Sequence, residues 1–517
     1  MLFNSLPFIF LFLPAVLVGF HALSKSPRSA MVWLVSASLF FYAYWDWRYL
    51  PLLLASVAVN FALGRVLTAL SERFAAVPVA RSILLLGVVA NLLCLGYFKY
   101  AGFIAENVAA ITGQDWHVGR IILPLAISFF TFQQITYLID CYKGLTKGRD
   151  PLSYALFVCF FPQLIAGPIV HYQEMMPQFT RVRDWGLKGG NIAVGLSVFT
   201  VGLFKKVVIA DGVAAYAAPM FDAAAGGAEP TFVEAWAGVL CYAFQIYFDF
   251  SGYSDMAIGL ARMFGIRLPE NFRSPYKAKS IIEFWRHWHM TLSRFLRDYV
   301  YIPLGGNRHG SAARYRNLLL TMVIGGIWHG AGWTFVLWGT LHGVYLLVNH
   351  LGQAIAGRRE WLRVTVPAPV AIALTFLLVV MAWVPFRAED IGTAGRIYAG
   401  MIGLHGVVLP EGYAGYVGPW RQLLADLGVV FLGDAGTFGG KEQVLYLLGA
   451  ALVTWRFPNT QALFRRYRPV LRQSGQSIAP GALTWRPDIA WAIAVAGIGV
   501  VAITSMTKVA EFLYFQF

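Results

Sequence analysis

The run Gly325-Gly326-Ile327-Trp328-His329-Gly330-Ala331-Gly332-Trp333 sets one ionisable side chain among four glycines, inside a stretch from Leu318 to Val348 that holds no Asp, Glu, Lys or Arg. A neutral imidazole can take a proton from a hydroxyl or thiol and later return it. Ionisable groups within apolar segments are expensive to keep and mark functional positions. His329 is therefore the first candidate for a general base, flanked by Trp328 and Trp333. A histidine hydrogen-bonded to a neighbouring helix fits the same position.

A second cluster reads Glu283-Phe284-Trp285-Arg286-His287-Trp288-His289, followed by Thr291, Ser293 and Arg297-Asp298-Tyr299. A continuous helix would place Trp285, His289 and Ser293 on one face, with His287 on the other. That face suits the lining of a pocket, and it equally suits an interfacial aromatic belt. Arg286, Trp288, Arg297 and Asp298 join the candidates for binding a donor or lining a passage. So do Asp249 and Asp255, two carboxylates among aromatics in Phe248-Asp249-Phe250-Ser251-Gly252-Tyr253-Ser254-Asp255. No His/Asp/Glu spacing of the zinc-protease kind occurs, and no metal is expected. His342 follows His329 on the far side of the glycines, and spacing alone does not place it.

The elements that must carry these residues are membrane helices. Of 517 residues, 58% are hydrophobic and 13% charged, with mean hydropathy +0.60, against roughly 25% charged in soluble domains. Apolar windows of about bilayer length fall near 4–23, 30–44, 50–70, 82–98, 120–138, 152–170, 190–210, 232–250, 317–329, 333–350, 366–385, 443–455 and 488–506. The expected fold is all-α and polytopic, with roughly ten to thirteen membrane segments, some of them interfacial or re-entrant. One domain spans 1–517. The first window lacks a basic leader and a small-residue cleavage site after Val18-Gly19-Phe20-His21, so it reads as a retained span. A continuous helix over 317–350 would be about 50 Å long in a core of about 30 Å. It must tilt steeply or break, and the glycines around His329 are the place to break. Backbone that leaves a helix at membrane depth is buried in protein or lines a wet cavity, so His329 is expected at a break facing such a cavity.

Net charge is +15, from 41 Lys+Arg against 26 Asp+Glu. Much of it sits beside apolar blocks, as in Lys205-Lys206, Arg358-Arg359 with Arg363, and Arg465-Arg466 with Arg468. This is the pattern of cytoplasmic loops and needs no nucleic-acid partner. The basic and aromatic stretch from Asn271 to Arg316 reads as an amphipathic helix in the interface plane or as a polar cap over an active-site passage. Gly403 to Gly440 forms a long glycine-rich connection, and 456–487 is a polar segment that includes Arg472. Cys94, Cys141, Cys159 and Cys241 form no CxxC or Cys/His cluster and read as small buried hydrophobes. There is no GxSxG elbow, no phosphate-binding P-loop and no dinucleotide GxGxxG opening a helix after a strand.

These residues, taken in order, resemble the membrane-bound O-acyltransferase superfamily and specifically its bacterial alginate O-acetylase branch. The ordered markers include Phe40-Phe41-Tyr42-Ala43-Tyr44-Trp45-Asp46, Tyr97-Phe98-Lys99-Tyr100, Ser128-Phe129-Phe130-Thr131-Phe132-Gln133 and Phe161-Pro162-Gln163-Leu164-Ile165-Ala166-Gly167-Pro168. They continue with Gly202-Leu203-Phe204-Lys205-Lys206, Tyr247-Phe248-Asp249-Phe250-Ser251-Gly252-Tyr253, the Phe284-to-His289 block and Arg297-Asp298-Tyr299-Val300-Tyr301-Ile302-Pro303-Leu304-Gly305-Gly306-Asn307. Trp328-His329-Gly330, Trp338-Gly339-Thr340-Leu341-His342-Gly343, Phe386-Arg387-Ala388 and Phe457-Pro458-Asn459 close the set.

The resemblance implies that the family's catalytic histidine falls on His329 and its second histidine on His289, in a ring of helices around a central tunnel. The branch carries Arg where this chain has His287, which leaves the role of position 287 open. The resemblance further implies acetyl-CoA as the acyl-donor substrate on the cytoplasmic side, with no bound cofactor, although a carrier-bound acyl group fits too. It implies a bacterial inner membrane with its lipids, and extracytoplasmic acetyltransferase partners that finish the transfer to polymer. Alginate is the first expectation for that polymer, and cellulose or another exopolysaccharide the alternative. Members of the family also move D-alanine toward teichoic acids. Two other classes fit the spans and the buried histidine without the ordered markers: a transporter with a midplane site and a non-catalytic membrane scaffold.

Overall fold

Helix starts are written locally in this chain and are used as written. Ser26, Asp150, Ser280, Asp390 and Asp488 each stand in extended backbone, and each side chain accepts the N–H three residues on. That bond satisfies one of the donors that a helix N-terminus leaves open. Pro27 and Pro151 occupy first-turn positions where their missing N–H costs nothing.

The computed structural model describes residues 1–71, 77–114, 116, 118–119, 121–146, 150–180, 188–358, 366–433, 436–471, 483–506 and 513. Each of the thirteen apolar windows overlaps helix. Among the described residues, four helical segments are long and apolar enough to cross a bilayer: Trp47–Ser71, Val77–Thr112, Gly189–Ala225 and Ala368–Arg387. Phe8–Leu23 and Ile489–Thr504 are shorter apolar helices. The basic residues Arg359, Arg363 and Arg472 lie outside the described residues.

The helices fall into two compact units. One comprises Met1–Leu203, Gly252–Asn271 and Thr460–Phe515. Its core joins Phe3, Phe8, Phe41 and Phe161, with ring centroids 5.0–6.2 Å apart. Two sets of buried polar side chains pair here: Asn60 and Asn91 exchange side-chain amide bonds of 2.7 and 3.2 Å. Gln134 donates to Ser56 and accepts from the Tyr154 hydroxyl. Such bonds hold apolar helices together where burial alone offers little drive.

The second unit comprises Phe204–Ser251 and Phe272–Asn459. At its start the chain makes a π-helical turn, Lys205–Ala210. The extra residue aims Lys206 inward, 2.7 Å from Asp211 and 2.6 Å from Asp249. Lys206 is thus a buried counter-ion shared by two carboxylates, not a cytoplasmic loop charge as its sequence context suggested. Asp249 is the reason, and it lies on another helix. Lys205 stands over the Tyr247 ring at 5.9 Å. The glycine-rich connection contributes the only strands among the described residues. β1 (Val407–Pro410) and β2 (Val429–Leu432) pair in parallel, Val407 opposite Val429.

Candidate active site

The helix Gly310–His329 ends at His329, and the next helix, Trp333–Arg358, begins four residues later. The break expected at the glycines is present, with Gly330 fully extended. The two helices return antiparallel at close range because glycines face each other across the seam. A Cβ on Gly339 would lie 2.5 Å from the Met322 carbonyl oxygen, and one on Gly326 would strike the Phe335 carbonyl. This approach seats the His329 ring among Trp328, Trp338 and Phe386, with centroids 4.9, 4.9 and 5.1 Å away.

His289 arrives by a different route. The expected continuous helix through Trp285, His289 and Ser293 is broken: one short helix covers Ile281–His287 and another Met290–Leu296. Trp288 is extended and His289 left-handed, at φ 41° and ψ 53°. Packing overrides helix propensity here. Trp288 plugs into Phe272, Phe284 and Trp383 at 5.0–5.6 Å, and Tyr276 stacks on it at 6.1 Å. Left-handed backbone costs a side chain with a Cβ about 1–2 kcal/mol, and such strain gathers at functional sites. The kink places the His289 ring 4.7 Å from Phe250, 6.2 Å from Trp328 and 6.5 Å from His329.

A third imidazole joins the cluster. His342 lies one helical turn after Trp338, and Trp338 contacts the rings of both His329 and His342 at 4.9 Å. The Trp285 indole N–H donates to His342 Nδ1 at 3.3 Å. A neutral ring that accepts at Nδ1 carries its proton on Nε2. Phe284 lies parallel to His342 at 6.0 Å. Of the three histidines, His289 and His342 are wholly buried, whereas His329 keeps 4% of its surface exposed. Spacing could have flagged Trp338 and His342 as an i, i+4 pair. Trp383 carried no signal beyond its apolar window, and Phe386 none beyond the Phe386-Arg387-Ala388 marker.

The remaining candidates separate. Trp285, Trp288 and Trp328 are buried in the histidine cluster. The Ser293 hydroxyl donates to the Trp288 carbonyl at 3.4 Å and helps hold the kink. Asp249 is engaged by Lys206. Asp255 belongs to the first unit, where it accepts from Thr460 at 2.5 Å and Gln461 at 2.9 Å. It therefore acts as a packing-level acceptor there. Arg286 and Trp333 are exposed, and Arg297 pairs with its neighbour Asp298 at 2.7 Å near the surface, a contact worth little. The stretch from Asn271 to Arg316 is not one amphipathic helix. It folds as a 3₁₀ turn, two short helices, a π-turn and the start of the helix Gly310–His329, with Phe272, Tyr276, Phe284 and Trp288 buried. Aromatics spaced to fill a core cannot also lie along one lipid-facing stripe.

Known proteins are similar to this sequence over most of its length. Residues 147–355, which include all three histidines, match the membrane-bound O-acyltransferase family. A peptidoglycan O-acetyltransferase of Helicobacter pylori is 47% identical over 437 residues, covering 79% of this chain and 81% of that protein. A probable alginate O-acetylase, AlgI, of Azotobacter vinelandii is 44% identical over 406 residues, 78% of each chain. A teichoic acid D-alanyltransferase of Bacillus subtilis is 26% identical over 254 residues, 47% of this chain and 63% of that protein. Identity of this extent sets aside the transporter and scaffold readings. The chain belongs to the membrane-bound O-acyltransferase family and is a multi-pass membrane O-acyltransferase.

Proposed function

We propose that the protein transfers an acetyl group from acetyl-CoA, presented on the cytoplasmic side of a bacterial inner membrane, toward a hydroxyl of an extracytoplasmic polysaccharide. His329 is the general base. Its neutral imidazole takes the hydroxyl proton as the oxygen attacks the thioester carbonyl. As the tetrahedral intermediate collapses, the C–S bond breaks and the imidazolium returns the proton to the leaving thiolate. The acyl group alone crosses, so no charged nucleotide passes through hydrocarbon. The observation that carries this reading is the His329 ring at the broken end of its helix, 6.5 Å from the His289 ring, within the segment that matches the acyltransferase family. That spacing supports a second role for His289, hydrogen-bonding the carbonyl oxygen where negative charge develops. His342 and Trp285 hold the Trp338 wall of the site. Extracytoplasmic acetyltransferase partners would pass the group on to polymer.

Alginate is the first acceptor, supported by the probable alginate O-acetylases at 42–44% identity. Peptidoglycan is the second reading, favoured by the relative at 47%. The two separate in one experiment. Cells lacking the chain are complemented with wild type or His329→Ala, and O-acetyl groups are quantified by mass spectrometry in exopolysaccharide and in muropeptides. Acetylation restored in exopolysaccharide supports alginate-type transfer, and restoration in muropeptides moves the acceptor to peptidoglycan. No His329-dependent acetylation in either fraction would refute the proposal.

A further inference from the structure

The first unit holds a cavity of about 230 Å³, away from any histidine, whose polar wall carries Arg262, Arg267, Lys188, Asn191 and Gln178. Two local devices build it. The helix Phe232–Met263 ends in a left-handed glycine, Gly265, whose N–H donates to the Arg262 carbonyl while the Ile266 N–H donates to Ala261. This glycine-capped reversal turns the chain back on itself and returns Arg267 toward Arg262, whose charge it opposes. Gln178 then clamps residue 267 by both backbone groups, accepting its N–H at 2.9 Å and donating to its carbonyl at 3.1 Å. Opposite stands the first turn of Gly189–Phe204, which brings Lys188 and Asn191 with the positive end of that helix.

We propose that this cavity is a binding site for a phosphate-bearing anion, with Arg262 as its principal ligand. Three of the side chains lining it are cationic and none is acidic. The Nε of Arg262 is buried without a hydrogen-bond partner among the described residues. A buried guanidinium N–H without an acceptor is costly, and two facing guanidiniums repel. A phosphoryl oxygen placed between them removes both penalties and accepts the forked geometry that Arg presents. The volume lies below the roughly 300–1,000 Å³ of drug-sized ligand sites, which suits a phosphoryl group with a small substituent. A soluble phosphate ester and an anionic lipid headgroup share this chemistry.

The test uses the purified full chain in neutral detergent micelles, followed by thermal unfolding at constant ionic strength. Inorganic pyrophosphate and phosphatidylglycerol are the two probes, with chloride and phosphatidylcholine as their controls. Stabilisation by pyrophosphate assigns a soluble phosphate, and stabilisation by phosphatidylglycerol alone assigns a headgroup. In either case Arg262→Gln raises the apparent Kd roughly tenfold to a hundredfold, the loss of a charge-assisted bond. Arg262→Lys keeps the charge without the fork and raises it severalfold, which reads the same contact if the glutamine variant does not fold. Arg421→Gln, in an exposed pair with Glu411 of the other unit, titrates like wild type. The proposal is overturned if neither probe shifts wild-type melting, or if both Arg262 variants titrate like wild type.

Discussion

Replacing Gly339 by alanine adds one methyl group where two helix backbones meet. Its carbon would lie 2.5 Å from the Met322 carbonyl oxygen and 3.1 Å from Val323 Cα. Ordinary contact begins at 3.4 Å, so the approach is short by about 0.9 Å, against backbone atoms that no rotamer change can remove. The helices Gly310–His329 and Trp333–Arg358 must part by close to that distance. Overpacking of this kind costs about 1–3 kcal/mol. Function loses more, because Met322 stands two turns before His329 on the same helix and Trp338, beside the substitution, walls the imidazole. Displacement of a catalytic group by about 1 Å costs on the order of 100-fold in rate. The assay measures acetyl transfer per folded molecule, with folded protein counted by size-exclusion chromatography from detergent. Gly352→Ala is the control, on the same helix with open space around the added carbon, and should gain up to about 1 kcal/mol of stability. Wild-type transfer by Gly339→Ala at wild-type abundance would refute the claim that this seam positions His329.

Other substitutions test neighbouring parts. Trp285→Phe keeps an aromatic ring but removes the donor to His342; transfer should fall severalfold, in line with about 1 kcal/mol for the bond, while abundance holds. Unchanged turnover would remove His342 from the positioning chain. Lys206→Met leaves Asp211 and Asp249 without their shared cation and should cost about 3–5 kcal/mol, read as lost abundance or lower Tm. Adding Asp211→Asn and Asp249→Asn should recover most of it. Asp390 caps the helix Ile391–Met401, and the Thr393 N–H holds its carboxyl below the usual carboxylate range. Asp390→Ala should cost about 1 kcal/mol. A depressed folded-state pKa stabilises above the ordinary value and is lost below it. The wild-type advantage is therefore full at neutral pH and shrinks as pH falls below about 4, as melting at both pH values would show.

The features legible in the sequence were those whose causes are local. Four glycines around His329 announced the helix break, and apolar windows announced the helices. Three features depended on partners far along the chain. The residues from Glu283 to Phe295 have no local reason to kink, and the break at Trp288–His289 comes from Trp383 and Phe272 waiting to receive the indole. Lys206 looked like a loop charge until Asp249 stood 2.6 Å from it. His342 had no readable position because a broken helix resets the angular register, and its role follows only from the approach of Trp285 and Trp338. The parallel pairing of Val407–Pro410 with Val429–Leu432 was hidden because two four-residue strands leave little periodicity in a glycine-rich stretch.

The decisive measurement is the rate at which His329→Ala, purified and reconstituted in vesicles at wild-type yield, moves radiolabelled acetyl from acetyl-CoA. Loss of the proton-transfer group should lower that rate by about 10²–10⁴, with folding unchanged. A variant that transfers acetyl at close to the native rate would show that the proton moves elsewhere.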